Sequence, residues 1–181
     1  MKSKISVREL SYIGIFTALT VACAPIAIPL PGGVPMTLQT WVISLAGIVL
    51  GSKNGGASAM VYVLLGAIGI PVFSNFTGGM GIVLGPTGGF IMSFPIMALL
   101  AGIGHAKQNT AWTVFGLVTG TVINFACGMF YFSLVTSTNF QAAFAATVLP
   151  FIPSAVLRII VLPLIGKSIN VALIKNRVMS S

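Results

Sequence analysis

Glu9 is the only carboxylate in this chain and His105 the only imidazole. Without any Asp, the carboxylate pair of general acid–base chemistry cannot be assembled. A lone imidazole cannot build a catalytic metal site either. No Gly-x-Ser-x-Gly elbow is present, and Gly166-Lys167-Ser168 only imitates the end of a phosphate-binding loop. The glycine required five positions earlier is Val161, and no strand leads into it. Cys23 and Cys127 sit in apolar stretches outside any C-x-x-C pair, as small buried residues do. The chain is therefore expected to be no enzyme, to carry no metal or cofactor, and to hydrolyse no ATP. Anything it moved uphill would draw its energy from another subunit.

What remains is nine Lys and Arg residues, a net charge of +8. They form no patch interleaved with aromatics, which argues against nucleic acid. Composition points elsewhere: 56% of residues are hydrophobic and 6% charged, against about 25% charged in soluble domains. Mean hydropathy is +1.07. So little charge cannot cover a water-facing surface, and the bilayer is the expected solvent.

A membrane-spanning helix needs about 20 apolar residues, fewer where flanking loops dip inward. Six such spans are expected, near 7–27, 37–50, 57–73, 90–103, 111–136 and 153–174, with a short apolar helix before Pro150 and a kink at Pro163. Residues 1–181 thus make a single six-helix transmembrane domain. Met1–Pro25 is read as a retained first span rather than a cleaved signal. Ser6-Val7-Arg8-Glu9 fits a capping box, which gives the lone acid a structural task. A polar turn is expected at 51–56 and another at 104–109.

The charges fall on alternate connections. Lys2, Lys4 and Arg8 precede the first span, Lys53 and Lys107 lie in the two polar turns, and Lys167, Lys175 and Arg177 gather at the end of the last. The other three connections carry no Lys or Arg. The positive-inside rule places both termini in the cytoplasm. Arg158 breaks the pattern, since it lies roughly 8 Å into the last span from the outer side at 1.5 Å per residue. An unpaired charge there costs at least ~2.5 kcal/mol. It would either snorkel outward or meet a ligand's carboxylate, which a guanidinium suits.

The uncharged outer connections, 29–36 and 74–89, mix Gly and Pro with apolar residues. Backbone of this kind at membrane depth is buried in protein or lines a cavity. The alternatives are two tight apolar turns or an outward-facing ligand cavity beneath them. Gln39, Asn75, Thr87 and Asn124 are polar residues near these loops or within spans, and each would otherwise serve as helix–helix glue. Trp41, Phe90 and Tyr131 would line the apolar part of such a cavity or simply pack. A purely structural membrane subunit is opposed by the Gly-rich outer loops.

Ile28-Pro29-Leu30-Pro31-Gly32-Gly33-Val34-Pro35-Met36-Thr37-Leu38-Gln39-Thr40 resembles the first outer loop of BioY, the biotin-binding S component of energy-coupling factor (ECF) transporters. The run Tyr62–Phe73 is similar to that family's third helix. Thr77-Gly78-Gly79 followed by Leu84-Gly85-Pro86-Thr87-Gly88-Gly89-Phe90 resembles its Gly-rich loop, and Pro150-Phe151-Ile152-Pro153 the lead into its last helix. The resemblance implies an all-α protein of the bacterial cytoplasmic membrane, of ECF S-component fold, that captures biotin from outside. It implies as partners a transmembrane coupling subunit and two cytoplasmic ATPases. It implies that Asn75, Gln39, Thr77, Gly78, Gly79, Gly85 and Thr87 lie at the ligand, and that Ala18 and Ala22 on the first helix dock the coupling subunit. Small residues four apart do allow close helix approach, within the bundle or with a partner.

One departure stands out. The family's Asp, three residues before its Lys at the start of the last helix, corresponds here to Ala155, with Arg158 in place of the Lys. Positions three apart share a helix face. A ureido ring's N–H groups would then be met by other acceptors, with Asn75, Gln39 and loop carbonyls as the candidates. The loss of the acid keeps a second ligand in view, lipoate or another small carboxylate.

Overall fold

The structure, a computed structural model, describes residues 6–30 and 33–175. Lys2, Lys4 and Arg177 lie outside the described residues, as do Pro31 and Gly32 of the first outer loop. Helix α1, Val7–Cys23, starts in the expected capping box. Glu9 N–H donates to Ser6 Oγ at 3.1 Å, and Ser6 N–H donates to Glu9 Oε2 at 2.8 Å. A two-residue antiparallel ribbon follows, β1 Ala27–Ile28 against β2 Met36–Thr37, and folds the first outer loop back over the bundle.

Helix α2, Gln39–Ala67, departs most from expectation. A polar turn was expected at 51–56, and the structure turns the chain at one residue, Gly51, with φ +80°. Glycine takes this left-handed conformation without a Cβ clash. Ser52 to Gly56 already belong to the returning arm, so that arm runs over 52–67 rather than 57–73. The two arms are antiparallel and touch: a Cβ on Gly55 would sit 2.6 Å from Gly47 Cα. In a continuous helix these residues would be ~12 Å apart. The pairing of Gln39 with Tyr62 at the far end of the arms fits the same hairpin. Gly55→Val forces that backbone contact apart. We expect a cost of about 1–3 kcal/mol, read as a fall of roughly 2–4 °C in melting temperature per kcal/mol in detergent.

Helices α3 Met80–Val83, α4 Gly88–His105, α5 Thr110–Thr136, α6 Phe140–Thr147 and α7 Ile152–Lys175 complete the chain. Among the described residues four helical stretches are long and apolar enough to cross a membrane. One of them is the α2 hairpin, so with α1 the bundle has six packed segments. Helix α4 lies between α2 and α5, α1 packs on α2, and α7 closes against α2 and α5. Helix α7 runs on through Pro163, and α4 through Pro95. Large apolar side chains on the outer faces of α5 and α7, such as Phe115, Val122, Ile160 and Leu164, are exposed, as lipid contact requires.

The basic turns collect at one end. Glu9 reaches the Asn54 side chain, Gly102 lies against Ser52, and Gly166 lies against Ile48 near His105. The start of α1, the Gly51 turn, the end of α4 and the later part of α7 therefore share a face. The β ribbon and the Gly-rich segment lie at the other.

Candidate functional site

At that opposite end a cavity of about 690 Å³, counting its open mouth, is framed by the first outer loop, Phe73–Ser74, α4, α5 and α7. The fold builds its walls from aromatic residues of several elements. Phe90 and Phe94 come from α4, Phe125 from α5 and Phe151 from the turn before α7. Gly128 lets α5 pass against the Phe90 ring, where any Cβ would collide.

Arg158 lies in the cavity lining and is only 2% exposed. It does not snorkel. Its Nη2 donates to Thr121 Oγ1 on α5 at 2.7 Å, and Thr121 Oγ1 donates its own proton to Leu117 O at 2.6 Å. The hydroxyl is thus held as an acceptor for the guanidinium. Arg158 Nε is buried without a partner among the described residues, and Glu9, at the opposite end, is the one acidic side chain of the sequence. A buried donor left unsatisfied costs about 1–3 kcal/mol. A fold that keeps this cation without a counter-charge points to a ligand that needs it.

Asn124, one turn beyond Thr121 on α5, also lines the cavity and is 1% exposed. Its Nδ2 donates to Phe90 O at 3.0 Å and to Ser93 Oγ at 2.7 Å. Ser93 spends its proton on Gly89 O and Phe90 O, so it can only accept from Asn124. The amide orientation is thereby fixed, with Oδ1 as the end left over. From the sequence Asn124 stands open between cavity lining and helix–helix glue; the structure puts it in the lining. The signal available was its spacing of three from Thr121, which puts both on one face of α5.

The structure gathers Gln39, Thr87, Phe90, Ala155 and Arg158 around the cavity. Gln39, however, is committed: Thr37 Oγ1 donates to its Oε1 at 3.0 Å, and its Nε2 donates to Tyr62 Oη at 2.6 Å. Tyr62 in turn donates to Val72 O at 3.0 Å. This relay ties the first outer loop to the start of the second. Asn75 is exposed with φ +55°, and with Thr77, Gly78, Gly79 and Gly85 it lies outside the cavity lining. Gly78 and Gly79 instead let the loop lie on the end of the hairpin, where Gly79 N–H donates to Gly66 O at 2.6 Å and a Cβ on Gly78 would strike Ile70 O. Trp41 stands behind the wall, donating from Nε1 to Ser154 Oγ at 3.1 Å. Tyr131 packs on Gly88 and Gly89 and donates to Leu84 O at 3.2 Å. Ala18 and Ala22 are exposed on α1, with Gly14 one turn earlier and Thr17 and Thr20 turned inward.

The BioY family model matches residues 1–175. The chain belongs to the BioY family. It is 39% identical over 160 residues to the biotin transporter BioY of Thermotoga maritima, covering 88% of this chain and 94% of that relative. It is 42% identical to the probable biotin transporter BioY of Pyrococcus horikoshii, covering 80% and 85%. A crystal structure of the S-component for biotin from an ECF-type ABC transporter superposes with a TM-score of 0.82, at 27% identity over 94% of each chain. Family membership and this match make the chain a multi-pass cell-membrane transport subunit of ECF S-component fold, not an enzyme.

Proposed function

We propose that this protein is the biotin-binding S component of an ECF-type importer. It takes biotin from the outer side into the cavity beneath the two outer loops. The observation that carries the reading is Arg158: a buried cation without an acid, in the lining of an aromatic-walled cavity, in a chain whose relatives are named for biotin. Aromatic side chains cover the apolar ring and chain of the ligand, and the relay through Gln39 and Tyr62 holds the two loops together at the mouth. The basic end faces the cytoplasm, as the positive-inside rule requires. There a coupling subunit and two ATPases supply the energy this chain lacks, with exposed Ala18 and Ala22 as the docking stripe. The names of the relatives favour biotin, and lipoate finds no support among them.

Protein purified from cells supplied with both vitamins is expected to carry biotin, identified by mass spectrometry after denaturation. Recovery of lipoate instead would overturn the reading. Thr121→Val keeps the shape of the side chain and removes the acceptor that orients Arg158. A hydrogen bond to a charged group contributes about 1.5–3 kcal/mol. Thr121→Val is therefore expected to weaken biotin at least ~10-fold in an equilibrium titration, with Thr121→Ser close to wild type.

A further inference from the structure

We infer that Asn124 reads the ligand, accepting one of its N–H groups through Oδ1 while Arg158 donates to the neighbouring oxygen. The inference rests on the biotin reading and fixes which end of the molecule enters first. Two polar side chains of the cavity lining are almost fully buried, Arg158 and Asn124. Arg158 Nη2 is held on Thr121, and Asn124 lies one turn further along α5, a rise of about 4.5 Å. Their roles cannot be exchanged. A guanidinium only donates, and the Asn124 amide cannot flip without losing both of its bonds to Phe90 O and Ser93 Oγ. The buried side-chain polar atoms without a partner among the described residues are Ser44 Oγ and Arg158 Nε. Asn124 Oδ1 makes no hydrogen bond among the described residues, and the side chain lines the cavity, so this oxygen is the acceptor left for a ligand. Gln39, the other amide in the lining, has both ends occupied. Ala155, one turn before Arg158, offers no side-chain acceptor.

A fixed donor beside a fixed acceptor matches an edge that both accepts and donates. The edge of a cyclic urea, C=O next to N–H, has that pattern. A carboxylate does not, since it only accepts and would set a second acceptor against Oδ1. The expectation that Arg158 pairs with the ligand's acid gives way on this ground. With the ureido ring inward, the carboxylate stays at the open mouth among the uncharged outer loops, in water.

The test is competition binding on the purified protein with three ligands: biotin, biotin amidated at its carboxyl group, and biotin methylated at the ureido nitrogens. The amide is expected to bind within about threefold of biotin and the methylated compound at least 30-fold more weakly. Asn124→Ala should lose at least 10-fold for biotin and nothing further for the methylated ligand. Ala155→Asp added to Asn124→Ala should recover part of the loss by supplying an acceptor on the same face as Arg158. Should Asn124→Ala fail to fold, the three ligands on the wild type still decide. An amide at least 30-fold weaker than biotin, with the methylated compound unaffected, overturns the inference and leaves the biotin reading standing. Absence of any biotin binding to the wild type overturns both.

Discussion

Arg158→Met is expected to cost biotin affinity heavily while leaving the empty protein at least as stable as the wild type. Methionine fills a similar volume without a charge. The wild-type Arg158 is 2% exposed, its Nε has no partner among the described residues, and its Nη2 donates to the neutral Thr121. Replacing buried charge by apolar side chains of similar size is often neutral or stabilising by about 1–4 kcal/mol. Binding should move the other way. Losing a charged donor to the ligand contributes about 1.5–3 kcal/mol, or roughly 10- to 150-fold in Kd at 1.4 kcal/mol per tenfold. Thermal unfolding in detergent and a biotin titration on the same preparations check both halves. A lower melting temperature with unchanged Kd would mean that Arg158 serves the fold. The opposite pattern is the stability–function trade expected of a site residue.

Ala18→Trp is expected to abolish energised biotin uptake in cells while leaving the Kd of the purified protein unchanged. Ala18 and Ala22 lie exposed on α1, one turn apart, whereas the buried residues of that helix are Ile13, Thr17 and Thr20. Small residues in this spacing permit backbones to approach closely, and an indole at the centre of the stripe would hold a partner helix away. The cavity lies among the outer loops, α4, α5 and α7, and takes no part of α1. Uptake and binding should therefore separate. If uptake survives, α1 does not dock the coupling subunit by this face. If binding falls as well, the substitution has disturbed the bundle.

Much of this architecture was legible in residue order, because the membrane makes simple demands. The charge alternation marked which turns share a face, and the contacts of Glu9 with Asn54 and of Gly102 with Ser52 place those turns together. Ser6 and Glu9 announced the start of α1. The tightness of the Gly51 turn was hidden. Ser52-Lys53-Asn54-Gly55-Gly56 looks like loop, and only the contact of Gly55 with Gly47 shows why these residues must be helical. The site was half legible. Arg158 declared itself as an unpaired charge at depth. Gln39, Asn75 and Asn124, in contrast, are chemically alike in a sequence. What separates them is the partner each meets: Tyr62 and Thr37 occupy Gln39, Asn75 stands exposed in the second outer loop, and Phe90 O with Ser93 Oγ take the donor end of Asn124 and leave its Oδ1 over. Those are long-range facts, set by helix packing rather than by local spacing. The seating of Gly78 and Gly79 on the end of the hairpin is likewise a contact that local spacing does not announce.

The central claim is most directly tested by equilibrium titration of the purified protein with biotin, with lipoate as the comparison. Saturable one-to-one binding of biotin is expected with Kd below about 1 μM, near −8.2 kcal/mol, and much weaker binding of lipoate. No biotin binding in that range, or tighter binding of lipoate, would contradict it.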